Sequence, residues 1–256
     1  MTSSPVALIT AGSAGLGAAA AKLFSKHGYR VAVNYNNKAE RANILVEELA
    51  GLSTLPAAGG NDKNFVAIKA DLASRDDIKR LVDEVVTEMG RLDVVFSNGG
   101  WTKFRDMNSI DDNVFEEDWD RAFNMNVKAH LWLMHAARKH LDKTEGCFIT
   151  TASLAGVSVS GSSLAYGVTK AAQIQLVKSL AVMAAPNIRV NSVSPGLLLT
   201  EWGDRFTDQQ KEAHRQKTKL KRIVTVEDVA EQVLGLAKNR SMTGVNVLMD
   251  AGFNLT

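Results

Sequence analysis

A short apolar run, Val6-Ala-Leu-Ile9, breaks directly into Thr10-Ala-Gly-Ser-Ala-Gly-Leu-Gly17, and residues 18–28 continue with a helical pattern that offers Leu23 and Phe24 for packing. Strand, glycine turn and helix in that order leave few folds open. Glycine accepts positive φ and admits another backbone at close range. A helix start adds unpaired N–H groups and the positive end of a dipole, so such a turn suits a phosphate. Gly12, Ser13, Ala14, Gly15, Leu16 and Gly17 are therefore candidate contacts to a dinucleotide. Glycine spacing alone is a weak signal, and its place between strand and helix carries the weight.

The alternation recurs along the chain. Residues 30–34, 65–68, 92–97, 147–151, 188–193 and 245–249 read as further strands. Helical patterns lie between them at about 38–49, 76–89, 119–141, from Tyr166 to before Pro186, and at 226–237. Repeated βα units imply a single α/β domain, a doubly wound parallel sheet of about seven strands covered on both faces, with its ligand crevice at the C-terminal strand ends. At 256 residues the chain suits one large domain, and the Gly- and Pro-containing stretch 51–64 reads as an exposed insertion rather than a boundary.

Charge excludes some partners. Thirty basic and 28 acidic residues are spread through the chain for a net charge of +2, which is no footprint for nucleic acid. The start lacks a basic leader, and no run approaches the roughly 20 apolar residues of a membrane helix, so no membrane partner and a cytoplasmic location are expected. Cys147 is the only cysteine and precedes an apolar strand, which excludes an internal disulfide and suits a buried thiol in a reducing compartment. No metal is expected.

Chemistry concentrates between Ser153 and Lys170. Tyr166 and Lys170 stand four apart and share a helical face, and the Ser/Gly-rich link before them can turn the chain so that Ser153 faces Tyr166. The positions around them converge on the same crevice. Asn34 ends the second strand where an NAD site often carries a carboxylate; a neutral residue there removes repulsion against a 2′-phosphate, to which Asn36, Asn37 or Lys38 can donate. Tyr35 lies beside them. Asn34 and Asn36 serve equally well as a strand end and turn. Asp71 and Leu72 are candidates for the adenine, although Asp71 also fits the start of the next helix. Asn98, Gly99 and Gly100 let the chain pass close to a flat cofactor, and Trp101 can wall a pocket. Asn126 is an unusual polar residue in an otherwise apolar helical stripe.

This ordered set resembles the short-chain dehydrogenase/reductase family over nearly the whole chain. The likeness rests on Thr10 to Gly17, Asp71, Ser97-Asn-Gly-Gly100, Asn126, Ser153, Tyr166-Gly-Val-Thr-Lys170, Asn191, Pro195-Gly196 and the 13-residue step from Ser153 to Tyr166. Departures are Ala11 for the first glycine, Ser97 for an asparagine and Gly99 for an alanine. The resemblance implies a Rossmann fold and a catalytic set of Asn126, Ser153, Tyr166 and Lys170. Tyr166 would be the acid/base, its pKa lowered from about 10 by the Lys170 charge and an oxidised nicotinamide. Ser153 would hold the substrate oxygen, Lys170 the nicotinamide ribose, and Asn126 a relay water. Pro195, Gly196, Leu198 and Thr200 would touch the nicotinamide end. It further implies a homo-oligomer, with a tetramer favoured.

The resulting expectation is reversible reduction, by NADP(H) rather than NAD(H), of a medium-sized, mostly apolar or cyclic ketone to its secondary alcohol. Trp101, Ser153, Leu154, Val157, Tyr166 and Trp202 would line the pocket, and residues 197–219 would cover it. An imine reductase or a keto-reductase of secondary metabolism is an alternative. A non-catalytic NADP(H)-binding sensor is another, disfavoured because Ser153, Tyr166 and Lys170 are all present.

Overall fold

The structure is a computed structural model that describes residues 4–56, 63–201 and 206–255. Seven strands form one parallel sheet: β1 (Val6–Ile9), β2 (Arg30–Tyr35), β3 (Phe65–Lys69), β4 (Val94–Ser97), β5 (Cys147–Thr151), β6 (Arg189–Pro195) and β7 (Asn246–Met249), in the order β3-β2-β1-β4-β5-β6-β7. Every pairing is parallel, with Leu8 opposite Ala32 on one side and Val95 on the other. Because β1 pairs with both β2 and β4, successive connections diverge from it, and the sheet opens a crevice at that switch point.

Both faces are covered, which is why the inner strands read as unbroken apolar runs rather than alternating ones. On one face α1 (Gly15–Lys26), α2 (Ala39–Leu52) and α8 (Val226–Lys238) pack Leu16, Phe24, Leu45 and Val233 against Ile9, Val33 and Phe96. On the other, α3 (Arg75–Met89), α5 (Ala129–Thr144) and α6 (Leu164–Ala184) bring Leu81, Leu133 and Val177 onto Leu8, Val95 and Phe148. Cys147 lies fully inside, and burial pushes its thiol up to about 11. No helix among the described residues is long and apolar enough to cross a membrane.

One element differs from the sequence reading, and a second takes the surface-helix alternative that 208–219 left open. The helix expected over 119–141 is divided: α4 (Glu116–Phe123) passes into a wide π turn, Asn124–Lys128, before α5 begins. A π turn takes in one extra residue and rotates the helix beyond it, a device that aims a side chain inward. The side chain so aimed is Asn126, which is wholly buried. Beyond β6, α7 (Asp208–Lys217) is a regular helix held by a capping box between Thr207 and Gln210, yet it buries none of its residues.

Candidate active site

The glycine turn leaves β1 and delivers α1 with an uncapped start. Ala14 caps α1 without a side-chain hydrogen bond, and its first turn holds no acid, so its N–H groups and dipole are free to meet an anion. Gly17 is needed because a Cβ there would stand 2.5 Å from the Ala11 carbonyl oxygen. Ala11 itself holds a left-handed φ of 47°, the conformation for which the family uses glycine. Thr10 Oγ1 accepts from the N–H groups of Asn98 at 2.9 Å and Gly99 at 3.3 Å, and Thr151 Oγ1 donates to Asn98 Oδ1 at 2.9 Å. These ties lock the ends of β1, β4 and β5 together around the crevice.

The crevice is a cavity of about 800 Å³, within the range of small-molecule and cofactor sites. Among the expected residues Ser13, Ala14, Gly15, Leu16, Tyr35, Asn36, Asn37, Asn98, Gly100, Ser153, Leu154, Tyr166, Lys170, Pro195, Gly196, Leu198 and Thr200 line it. Gly12, Gly17 and Gly99 stand behind the lining as close-packing positions, where an added Cβ would meet Ile9, Ala11 and Leu72 respectively.

The catalytic candidates meet through backbone contact. Ser163 caps α6 by accepting from the Tyr166 N–H at 3.2 Å, which fixes Tyr166 in the first turn and Lys170 one turn on. Ser153 sits at the end of β5 and opens a 3-10 turn, Leu154–Gly156, whose last residue presses on α6: a Cβ on Gly156 would lie 2.6 Å from the Lys170 carbonyl carbon. This approach carries the Ser153 turn against the Tyr166 helix. Burial raises the Tyr166 pKa above its ordinary value, and a hydrogen bond from Ser153 opposes the rise. Lys170 is itself buried, its Nζ 5.7 Å from the centre of the Tyr166 ring, and burial brings it down to about 7, so it is only a partial cation near neutrality. Lys170 Nζ donates to the Thr151 carbonyl at 2.8 Å and to Gln173 Oε1 at 2.9 Å.

Asn126 supports this group from behind. Its Nδ2 donates to the Trp101 carbonyl at 2.9 Å and Thr169 Oγ1 at 3.0 Å, while Oδ1 accepts from the Trp101 N–H at 2.7 Å. Both amide protons are engaged, which leaves one lone pair of Oδ1 for the water that the family resemblance implies. Ser97, legible in the sequence only as a small substitution, makes a 2.6 Å hydrogen bond with His130 Nδ1 inside the core. His130 is held down to about 3 by burial first and by the nearby Lys170 charge second.

The adenosine end corrects the sequence reading. Asn34 is buried and does not line the cavity: Oδ1 accepts from the Ala11 N–H at 3.1 Å, and Nδ2 donates to the Ala70 carbonyl at 3.1 Å, so its amide splices the glycine turn to the end of β3. Asp71 is likewise occupied in its own turn, accepting from the Ala73 N–H at 2.9 Å, and Leu72 packs toward Gly99; neither lines the cavity. Arg41, which sequence reasoning missed, does line it together with Lys38. The missed signal was two cations three apart at the start of α2, where they oppose the helix dipole and gain nothing without an anion.

The substrate end also differs. Trp101 lies outside the lining with the Arg121 guanidinium 5.0 Å over its ring, and Val157 is exposed beyond the 3-10 turn. Trp202 falls outside the described residues. The wall is made instead by Leu154, Leu197, Leu198, Phe104 and Phe206, the two phenylalanines meeting edge to face at 5.3 Å.

A family model described as enoyl-(acyl carrier protein) reductase matches residues 10–254. Secoisolariciresinol dehydrogenase of Forsythia intermedia is 35% identical over 98% of this chain and 89% of its own. A 3-oxoacyl-(acyl-carrier-protein) reductase of Staphylococcus aureus is 32% identical over 96% of each chain. The crystal structure of a short chain dehydrogenase from Burkholderia cenocepacia in complex with NADP superposes with a TM-score of 0.87 at 31% identity, covering 98% of both chains. The chain belongs to the short-chain dehydrogenase/reductase family of NAD(P)(H)-dependent oxidoreductases, enzymes acting on a carbonyl or CH–OH group.

Proposed function

We propose that the protein is an NADP(H)-dependent reductase of a medium-sized, mostly apolar or cyclic ketone, working reversibly on the corresponding secondary alcohol. The observation that carries the reading is the one cavity wall shared by the uncapped start of α1, the Arg41 and Lys38 cations, and the Ser153, Tyr166 and Lys170 group. The residues fit the cofactor in kind: free N–H groups for a pyrophosphate, two cations for a 2′-phosphate, and a crevice floored by Gly100 for a flat ring. NADP(H), when bound, supplies or takes the hydride.

The chain's own groups do the rest. Tyr166 delivers its phenol proton to the carbonyl oxygen, and Ser153 Oγ donates a hydrogen bond to that oxygen as its charge grows. Lys170 holds its proton more firmly once the phenolate forms, because an adjacent anion offsets the cost that burial puts on the ammonium. Asn126 keeps α6 and the loop after β4 in register. Leu154, Phe104 and Phe206 favour an apolar substrate, and residues 197–201 and 206–219 form the covering segment. Leu131, Val168, Val182 and Met183 on α5 and α6 are exposed, which supports a homo-oligomer, with a tetramer favoured by family resemblance.

A second reading is an acyl-carrier-linked oxoacyl substrate, favoured by the matched family model and the Staphylococcus aureus relative. A panel of cyclic ketones, their alcohols and oxoacyl thioesters, run with both nicotinamide cofactors, separates the two. Tyr166→Phe should lose at least about 100-fold in turnover while nicotinamide fluorescence still reports cofactor binding. Near-normal turnover of that variant removes the acid/base role.

A further inference from the structure

Lys38 and Arg41 both stand beside a carboxylate at the mouth of the cavity. The chain leaving β6 runs along the mouth of the cleft: Leu198 bridges to Val224, the Thr200 methyl lies 3.1 Å from where a Gly15 Cβ would stand, and Glu201 follows in the lining. One Glu201 carboxylate oxygen pairs with the Arg41 guanidinium, and the other lies 3.6 Å from Lys38 Nζ. Arg41 also reaches Ser13 Oγ in the glycine turn at 3.4 Å, and its buried Nε has no partner among the described residues. An acid 160 positions downstream therefore occupies the corner that the proposed function assigns to a phosphate.

We infer that Glu201 is an internal anion that competes with the cofactor's 2′-phosphate for Arg41 and Lys38, and so sets how far the protein prefers NADP(H) over NAD(H). The inference rests on the NADP(H) reading above. A phosphate monoester carries about −1.5 to −2 charge at neutral pH, and a carboxylate cannot remain on the same two cations without repulsion. One anion must leave. A ribose with a free 2′-hydroxyl brings no charge, so Glu201 keeps its pairs when that nucleotide binds. The carboxylate thus weakens binding of the phosphorylated cofactor alone. Its side chain is 60% exposed, which keeps the effect to the size of a surface ion pair, about two- to five-fold in affinity.

The test is titration of NADPH and NADH, followed by nicotinamide fluorescence, on the wild type, Glu201→Gln and Arg41→Gln at low and physiological ionic strength. Glu201→Gln should bind NADPH about two- to five-fold more tightly and NADH unchanged, with the gain shrinking as salt rises. Arg41→Gln should weaken NADPH selectively. An unchanged or weaker NADPH affinity in Glu201→Gln, alongside the expected loss in Arg41→Gln, overturns the role of Glu201. Equal affinity of the wild type for both nucleotides, with Arg41→Gln affecting neither, overturns instead the phosphate site on which the inference stands.

Discussion

Replacing His130 with glutamine should flatten the acid side of the stability profile. His130 is 1% exposed and bonded through Nδ1 to Ser97, and its Nε2 has no partner among the described residues. Protonating it in place would put a charge into the core beside Lys170, so its pKa stands near 3 against an ordinary 6.5. The folded value is depressed, so the unfolded chain binds the extra proton first. Stability is full above the unfolded pKa and is lost as pH falls through 6.5 toward the folded value. Complete titration corresponds to about 5 kcal/mol, and the portion between pH 7.5 and 5.5 to about 1.4 kcal/mol. Urea unfolding at those two pH values, on the wild type and His130→Gln, measures it as the difference between the two losses, because every other titrating group is common to both chains. The variant starts lower if glutamine partners Ser97 poorly, but it should lose about 1.4 kcal/mol less than the wild type on acidification. Equal losses in the two chains refute the buried neutral imidazole.

Gly156→Ala should force the Ser153 turn off α6, since the obstructing atoms belong to the Lys170 and Ala171 backbone; turnover should fall at least about ten-fold with cofactor affinity nearly unchanged, read as a kcat loss in steady-state kinetics. Ala11→Gly relieves a left-handed alanine at a cost in unfolded-chain entropy, and thermal unfolding should show it neutral to about 1 kcal/mol more stable.

Much of the site was legible because its residues are tied by short-range rules. Tyr166 and Lys170 had to share a face once a helix was granted, and the glycine turn had to follow a strand for its pattern to mean anything. Trp101 was misplaced for the opposite reason. An aromatic residue after a strand can turn to either side, and the choice fell to Arg121 on α4. Asn34 was read as a ligand-facing polar end, whereas buried amides at strand ends are drawn to unpaired backbone groups, here those of Ala11 and Ala70. The π turn showed in the sequence only as the polar Asn126 within an apolar stripe, because nothing in the local residue order marks where a helix takes in an extra residue.

The amino-acid order by itself determined the βα alternation, the parallel sheet with its crevice at the strand ends, and the shared helical face of Tyr166 and Lys170, because periodicity and turn chemistry act over a few residues. Only the tertiary structure decided that Lys38 and Arg41 share the crevice wall, that Glu201 meets them from far along the chain, and that His130 is buried against Ser97. Those outcomes depend on burial and on charges brought together across the sheet, and neither quantity exists until the chain has folded.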